Sequence, residues 1–220
     1  DVYKRQEQVS QPGFPRLPFD ALQQWQRVRI SRSFDDLNQD PGYRPAVLFF
    51  LSEIYGGLDF RERDQDMSRV MPVMTRFLPD RALYTMSEAF ELQALSLEYD
   101  VEMAAYMAEQ GIDKLDMSRY CDVYRARSDP AGREQQVLLI RKLGYDLDKL
   151  VRKSFVNYLV RLLRGPAHAA GFGKLQEFLE SGLAAFRALP DPGLFVETIY
   201  EREWASMKRM FAGADKPFGF

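Results

Sequence analysis

From Asp80 to Gln110 the chain runs without a glycine or proline, and apolar residues recur along it at helical spacing. Pro79 and Asp80 suit a helix start, and Gly111 a helix stop. A single helix of about 45 Å is predicted at 1.5 Å per residue. Its predicted buried seam is Leu83, Met86, Phe90, Ala94, Leu97, Val101, Ala104 and Ala108. Shorter helices are predicted at Met117 to Arg127, Arg133 to Lys153, Phe155 to Arg164, Lys174 to Leu189 and Gly193 to Phe211. Gly144 falls on the row Val137, Ile140, Leu147, Val151, where a missing side chain lets another helix approach. No alternation of strand length competes with these helices. The expectation is an all-α fold, a single compact multi-helix domain of about eight or nine helices around the long one.

A second constraint lies at Phe49 to Pro72, where a dense apolar helix meets a charged one through Gly56 and Gly57. Val47, Phe50, Leu51 and Ile54 form an apolar stripe that Leu48 and Phe49 widen, so burial on several sides is expected. Either glycine can take the left-handed conformation that ends a helix, and Asp59 with Glu62 forms an acidic variant of the capping box. A helix then starts near Phe60, with Phe60, Asp64, Met67, Met71, Met74 and Leu78 on its inward row, and Pro72 kinks it. Asp64 is the anomaly, since a buried carboxylate needs a partner. An arginine, Tyr55 or free helix-end amides would serve; otherwise the helix is rotated and Asp64 is solvated. Tyr55, Asp59, Arg63 and Asp64 are the candidate polar cluster.

These residues carry a resemblance. FFLSEIYGG followed by DFRERD resembles an uncharacterised family of bacterial helical proteins, a domain of unknown function marked by FFL-x-(E/D)-x-YG and a downstream DF-x-x-RD. ELQALSLEYD, YCDVYR, RGPAHAAGFGKLQEFLESGLAAF and the closing ERE helix are also similar to it. The chain departs from the family at Gly57 and Leu58, and at His168 where an arginine is more usual. The resemblance implies one helical domain and no chemistry.

With 220 residues and 46% apolar content the chain can bury a substantial core, and no long linker divides it. Residues 1–18 are expected to be an extended segment, residues 19–212 the helical domain and residues 213–220 a tail whose phenylalanines tuck onto the core. The opening DVYKRQ resembles a translated sequencing adapter and carries no weight in the fold. A formal charge of −2 gives no wholesale attraction to nucleic acid. Lone Cys121 excludes an intrachain disulfide and suits a reducing cytoplasm. No apolar run approaches the roughly 20 residues that span a bilayer, and no signal-peptide pattern is seen. The chain reads as soluble and cytoplasmic.

Candidate chemistry is sparse. Glu88, Glu91, Glu98, Glu102 and Glu109 lie along one side of the long helix, but the Glu-x-x-His pairs of a di-iron bundle are absent. A solvated acidic face is expected, with no metal and no cofactor. His168, in a Gly-rich break between helices, lacks an assignable nucleophile and orienting acid. The glycines around it lack the preceding strand of a phosphate loop. Charge asymmetry is more informative: Lys149, Arg152, Lys153, Arg161, Arg164 and Lys174 occupy a stretch with no acidic residue. They form a candidate patch for an anion or a partner, with pairing to the acidic long helix as the plainer alternative. FVNYLVRLLR within it suits a membrane surface or an acidic partner, and Phe155, Leu159, Leu162 and Leu163 equally suit a core helix.

Three function classes follow in order. A helical interaction or scaffold protein, oligomeric or bound to a protein partner, comes first, because helical surfaces are plentiful and reactive constellations are not. A small-molecule or lipid-binding protein comes second, and an enzyme with an unrecognised acid-base site, such as Asp64 with Tyr55 and Arg63, third.

Overall fold

A computed structural model of the protein describes residues 11, 13–51, 79–169 and 173–220. Among the described residues the structure has nine helices and no strand, the all-α class expected from periodicity. They are α1 Arg16–Ser33, α2 Asp35–Gln39, α3 Arg44–Phe49, α4 Asp80–Glu109, α5 Met117–Ala126, α6 Pro130–Val151, α7 Ser154–Ala169, α8 Gly173–Arg187 and α9 Pro192–Phe211. The helices gather into two compact units. One comprises Asp1–Phe34, Ala89–Lys142 and Val196–Phe220; the other comprises Asp35–Glu88 and Leu143–Phe195. The division falls inside α4, α6 and α9.

In the first unit α1 turns Phe19, Leu22, Gln26, Arg29 and Ile30 inward. The core joins Leu22, Met103, Met107, Tyr120, Cys121, Val123, Tyr124 and Met210 with Phe218 from the tail. Trp25 stacks on Tyr120 with ring centroids 3.9 Å apart, and Arg29 and Arg32 lie over the Phe218 and Phe220 rings. The tail's phenylalanines therefore do tuck onto core and helix. Gly111 closes α4 as expected, at φ +65°. Its N–H donates to the Ala108 carbonyl, and the Ile112 N–H to the Met107 carbonyl at 2.8 Å, the paired bonds of a Schellman ending. Asp116 caps α5 by accepting the Arg119 N–H at 2.9 Å.

The predicted seam of α4 is corrected in part. Val101 and Ala104 are buried, but Ala108 is exposed and Leu83, Met86, Phe90, Ala94 and Leu97 are half-buried. Tyr99, Asp100, Met103 and Met107 are buried as well, because the C-terminal half of α4 is covered on most of its circumference. Glu88 also departs from the expected solvated face: it is only 5% exposed, whereas Glu91, Glu102 and Glu109 are exposed.

In the second unit α8 packs on α7 and on α3, and α2 packs on α3. Its aromatic core sets Phe50 against Phe186 and Phe195, and Tyr43 against Phe195. Gly182 lets α8 approach closely: a Cβ there would lie 2.6 Å from the Phe49 ring. Val47 is buried as expected, whereas Leu48 is 45% exposed, so this helix is not covered on every side. Its continuation, the glycine break, the capping box, the helix from Phe60 and the Pro72 kink lie outside the described residues. A further correction concerns α7, predicted to stop at Arg164 before a Gly-rich break. It runs on through Gly165 and Pro166 to Ala169, so His168 belongs to a helix. Leu162, whose carbonyl the imino nitrogen of Pro166 cannot serve, is an exposed residue where water can solvate that carbonyl.

Candidate functional site

The second unit's candidate surface is built by α7 and α8. Lys153 begins the new helix: its carbonyl accepts from the Val156 and Asn157 N–H groups. The Asn157 side-chain amide donates to the Val151 carbonyl at 2.9 Å and to the Lys153 carbonyl at 3.1 Å, tying the start of α7 to the end of α6. The inward face of α7 places Val156 with Ala82 and Leu150, and Val160 and Leu183 pack against them. Buried Gln176 of α8 donates to the Val160 carbonyl at 2.5 Å and to Glu180 Oε1 at 2.9 Å. Glu180 in turn receives Arg164 through Nε at 3.0 and 3.1 Å and through a terminal nitrogen. That hydrogen bond and the charge of Glu180 raise the Arg164 pKa above its ordinary range. Between the two helices lies an open groove of about 610 Å³, lined by Arg161, Arg164, Glu177, Glu180, Ser181 and Arg187 among others.

The opposite side of α7 carries three large apolar residues in the open. Phe155 is 54% exposed, Tyr158 62% and Leu162 56%. They are spaced by three and then four residues, so they share one face. Arg161 borders that face, is exposed, and makes no ion pair among the described residues.

The predicted basic patch is thus resolved residue by residue. Lys149 pairs with Asp146 at 3.2 Å and Arg152 with Asp148 at 2.9 Å, each within its own helical stretch. Arg164 pairs with Glu180. The acids that neutralise these cations come from α6 and α8 rather than from the glutamates of α4. Lys153 and Arg161 have no acidic partner among the described residues, and the Lys174 side chain lies outside the description. Tyr55, Asp59, Arg63 and Asp64 also lie outside the described residues, as does the His168 side chain.

The first unit contains a polar cluster that periodicity did not reveal. Asp100 is buried and receives Gln23 at 2.6 Å and Gln26 at 2.9 Å. Burial pushes its pKa up to about 6, against the lowering influence of Gln26, Arg133 and Gln23. Arg133 is buried between two rings, its guanidinium carbon 3.8 Å from the Tyr99 centroid and 4.3 Å from that of Tyr124. It donates to Ser128 at 2.9 Å, to Gln136 at 2.8 Å and to Met103 Sδ at 3.3 Å. Tyr99 donates to Asp129 at 3.1 Å, and burial with that bond pushes the phenol up to about 12. Asp129 also accepts the Gly132 N–H at 2.6 Å, the leading cause of its depressed pKa, and so caps α6. These bonds fasten α1, α4 and α6 together. Among the described residues no group of three or more His, Cys, Asp or Glu could hold a metal, and no helix is long and apolar enough to cross a membrane.

The chain belongs to the family described as Domain of unknown function (DUF8198), whose family model matches residues 5–217. No curated protein and no solved structure matches the chain.

Proposed function

We propose that this is a helical interaction protein whose docking face is the outer side of α7. The observation that carries the reading is the row Phe155, Tyr158 and Leu162, each more than half exposed on a helix whose other side is packed against Ala82, Leu150 and Leu183. Large apolar side chains contiguous on one helix face are favourable to bury against a partner. Phe155 and Tyr158 are aromatic, the residue class enriched at the centres of interfaces. A photo-crosslinking residue at Tyr158, compared with one at Leu17 in the other unit, tests the proposal. Adducts formed at Tyr158 alone, and lost in Phe155→Ser/Leu162→Ser, are expected. Equal labelling at both positions would refute it.

The groove between α7 and α8 favours a second reading, a binding site for a small anion or lipid headgroup. Arg161 and Arg187 line it beside the Arg164–Glu180 pair. The two glutamates in its lining offset much of that charge, which makes it the weaker reading. Native mass spectrometry beside the denatured mass separates the two: a retained small mass supports the groove, and a bare chain or a discrete protein complex supports docking on α7.

A further inference from the structure

We infer that the partner is an acidic amphipathic helix, packed along α7 in the register of a two-stranded coiled coil; this rests on the interaction reading above and specifies its occupant. The three exposed residues advance by three and then four positions, the spacing of a coiled-coil seam. Gly165 holds the next seam position. It is exposed, and no atom lies within 4 Å of the place its Cβ would take, so a partner backbone can come close there. From Phe155 to Leu162 the seam spans two turns, about 10 Å, which a short helix covers.

Charge then selects the partner. Arg161 immediately precedes the seam residue Leu162, at a flanking position where interhelical ion pairs set partner choice. No Asp or Glu occurs from Lys149 to Lys174, so no acid of this stretch offsets Arg161 beside the seam. A second copy packed antiparallel along this seam would set Arg161 beside its own counterpart, a like-charge contact that disfavours a symmetric dimer here. An anionic bilayer is matched less well. Among the described side chains the exposed row covers about 60° of helix circumference, while helices lying in a bilayer interface present a broader apolar face. Glutamates flanking an apolar seam complement both features.

Two labelled synthetic helices with the same leucine seam, one flanked by glutamates and the other by lysines, are titrated with the full chain and followed by fluorescence anisotropy. The acidic helix should bind about tenfold more tightly or better, the equivalent of one good charge pair. Arg161→Glu should reverse that order, and Phe155→Ser/Leu162→Ser should abolish binding of both, with circular dichroism confirming the fold of each variant. Equal affinity for the two helices, or an order unchanged by Arg161→Glu, would overturn the acidic partner while leaving a docking face in place. Failure of both helices to bind while Tyr158 still crosslinks specifically would overturn the helical partner alone. Failure of both together with loss of specific crosslinking would overturn the interaction reading too. Preferential binding to phosphatidylserine vesicles, or self-association lost in Phe155→Ser/Leu162→Ser, would replace the acidic helix with a membrane or a second copy.

Discussion

Replacing Asp100 with asparagine should change how stability depends on pH. The carboxyl is buried against α1, and burial raises its pKa from 3.8 to about 6 despite the amides of Gln23 and Gln26 and the nearby Arg133. A raised carboxyl pKa means that the folded protein holds its proton more tightly than the unfolded chain. Its stabilising contribution is therefore complete below pH 3.8 and is lost as pH rises through about 6. The gap corresponds to about 3 kcal/mol at 1.36 kcal/mol per unit. Asparagine removes this dependence. At pH 7.5 its net gain should be about 1–2 kcal/mol, because an amide offers one acceptor oxygen where two glutamine donors now converge and leaves Arg133 without that counter-charge. Urea denaturation from pH 4.5 to 7.5 checks it through the difference between variant and wild type, which cancels the other carboxylates. The difference should shift in favour of Asp100→Asn by about 2 kcal/mol across that range, the remainder being lost below pH 4.5. A difference independent of pH would refute the burial of an ionisable Asp100.

Arg133→Met should destabilise by about 3–5 kcal/mol, since it removes the cation between Tyr99 and Tyr124 and leaves Asp100 without that charge. Denaturant midpoints check this, and the loss should be smaller in an Asp100→Asn background. Gly182→Ala should cost about 1–3 kcal/mol because the added methyl meets the Phe49 ring, although alanine is ordinarily the better helix former. A thermal shift upward would contradict that close approach. Burial raises the Cys121 thiol pKa, so an aromatic disulfide reagent should modify the native protein far more slowly than the urea-unfolded chain.

Punctuation made the helix boundaries legible. Pro79 and Gly111 mark the ends of α4 because one suits a helix start and the other accepts the left-handed turn of a Schellman ending. The inward face of α4 was less legible. Asp100 looks solvated by composition, yet its partners Gln23 and Gln26 lie 77 and 74 residues away in the chain, beyond the reach of periodicity. α7 shows a different limit. Its sequence has one apolar row through Val156 and Val160 and another through Phe155, Tyr158 and Leu162, and spacing alone does not say which row faces the core. Only the packing of Val156 with Ala82 and Leu150 leaves the second row outside. The basic stretch was legible as a charge asymmetry, but the acids of α6 and α8 reduce it to Lys153 and Arg161 as cations without an acidic partner among the described residues.

Hydroxyl-radical footprinting of the α7 face is the most direct test of docking there. Phe155 and Leu162 should oxidise readily in the purified chain at low concentration and become protected in the complex recovered through a crosslinking residue at position 158, with Tyr84 unchanged as an exposed reference. Oxidation of Phe155 and Leu162 at the same rate in both samples would contradict a docking face on α7.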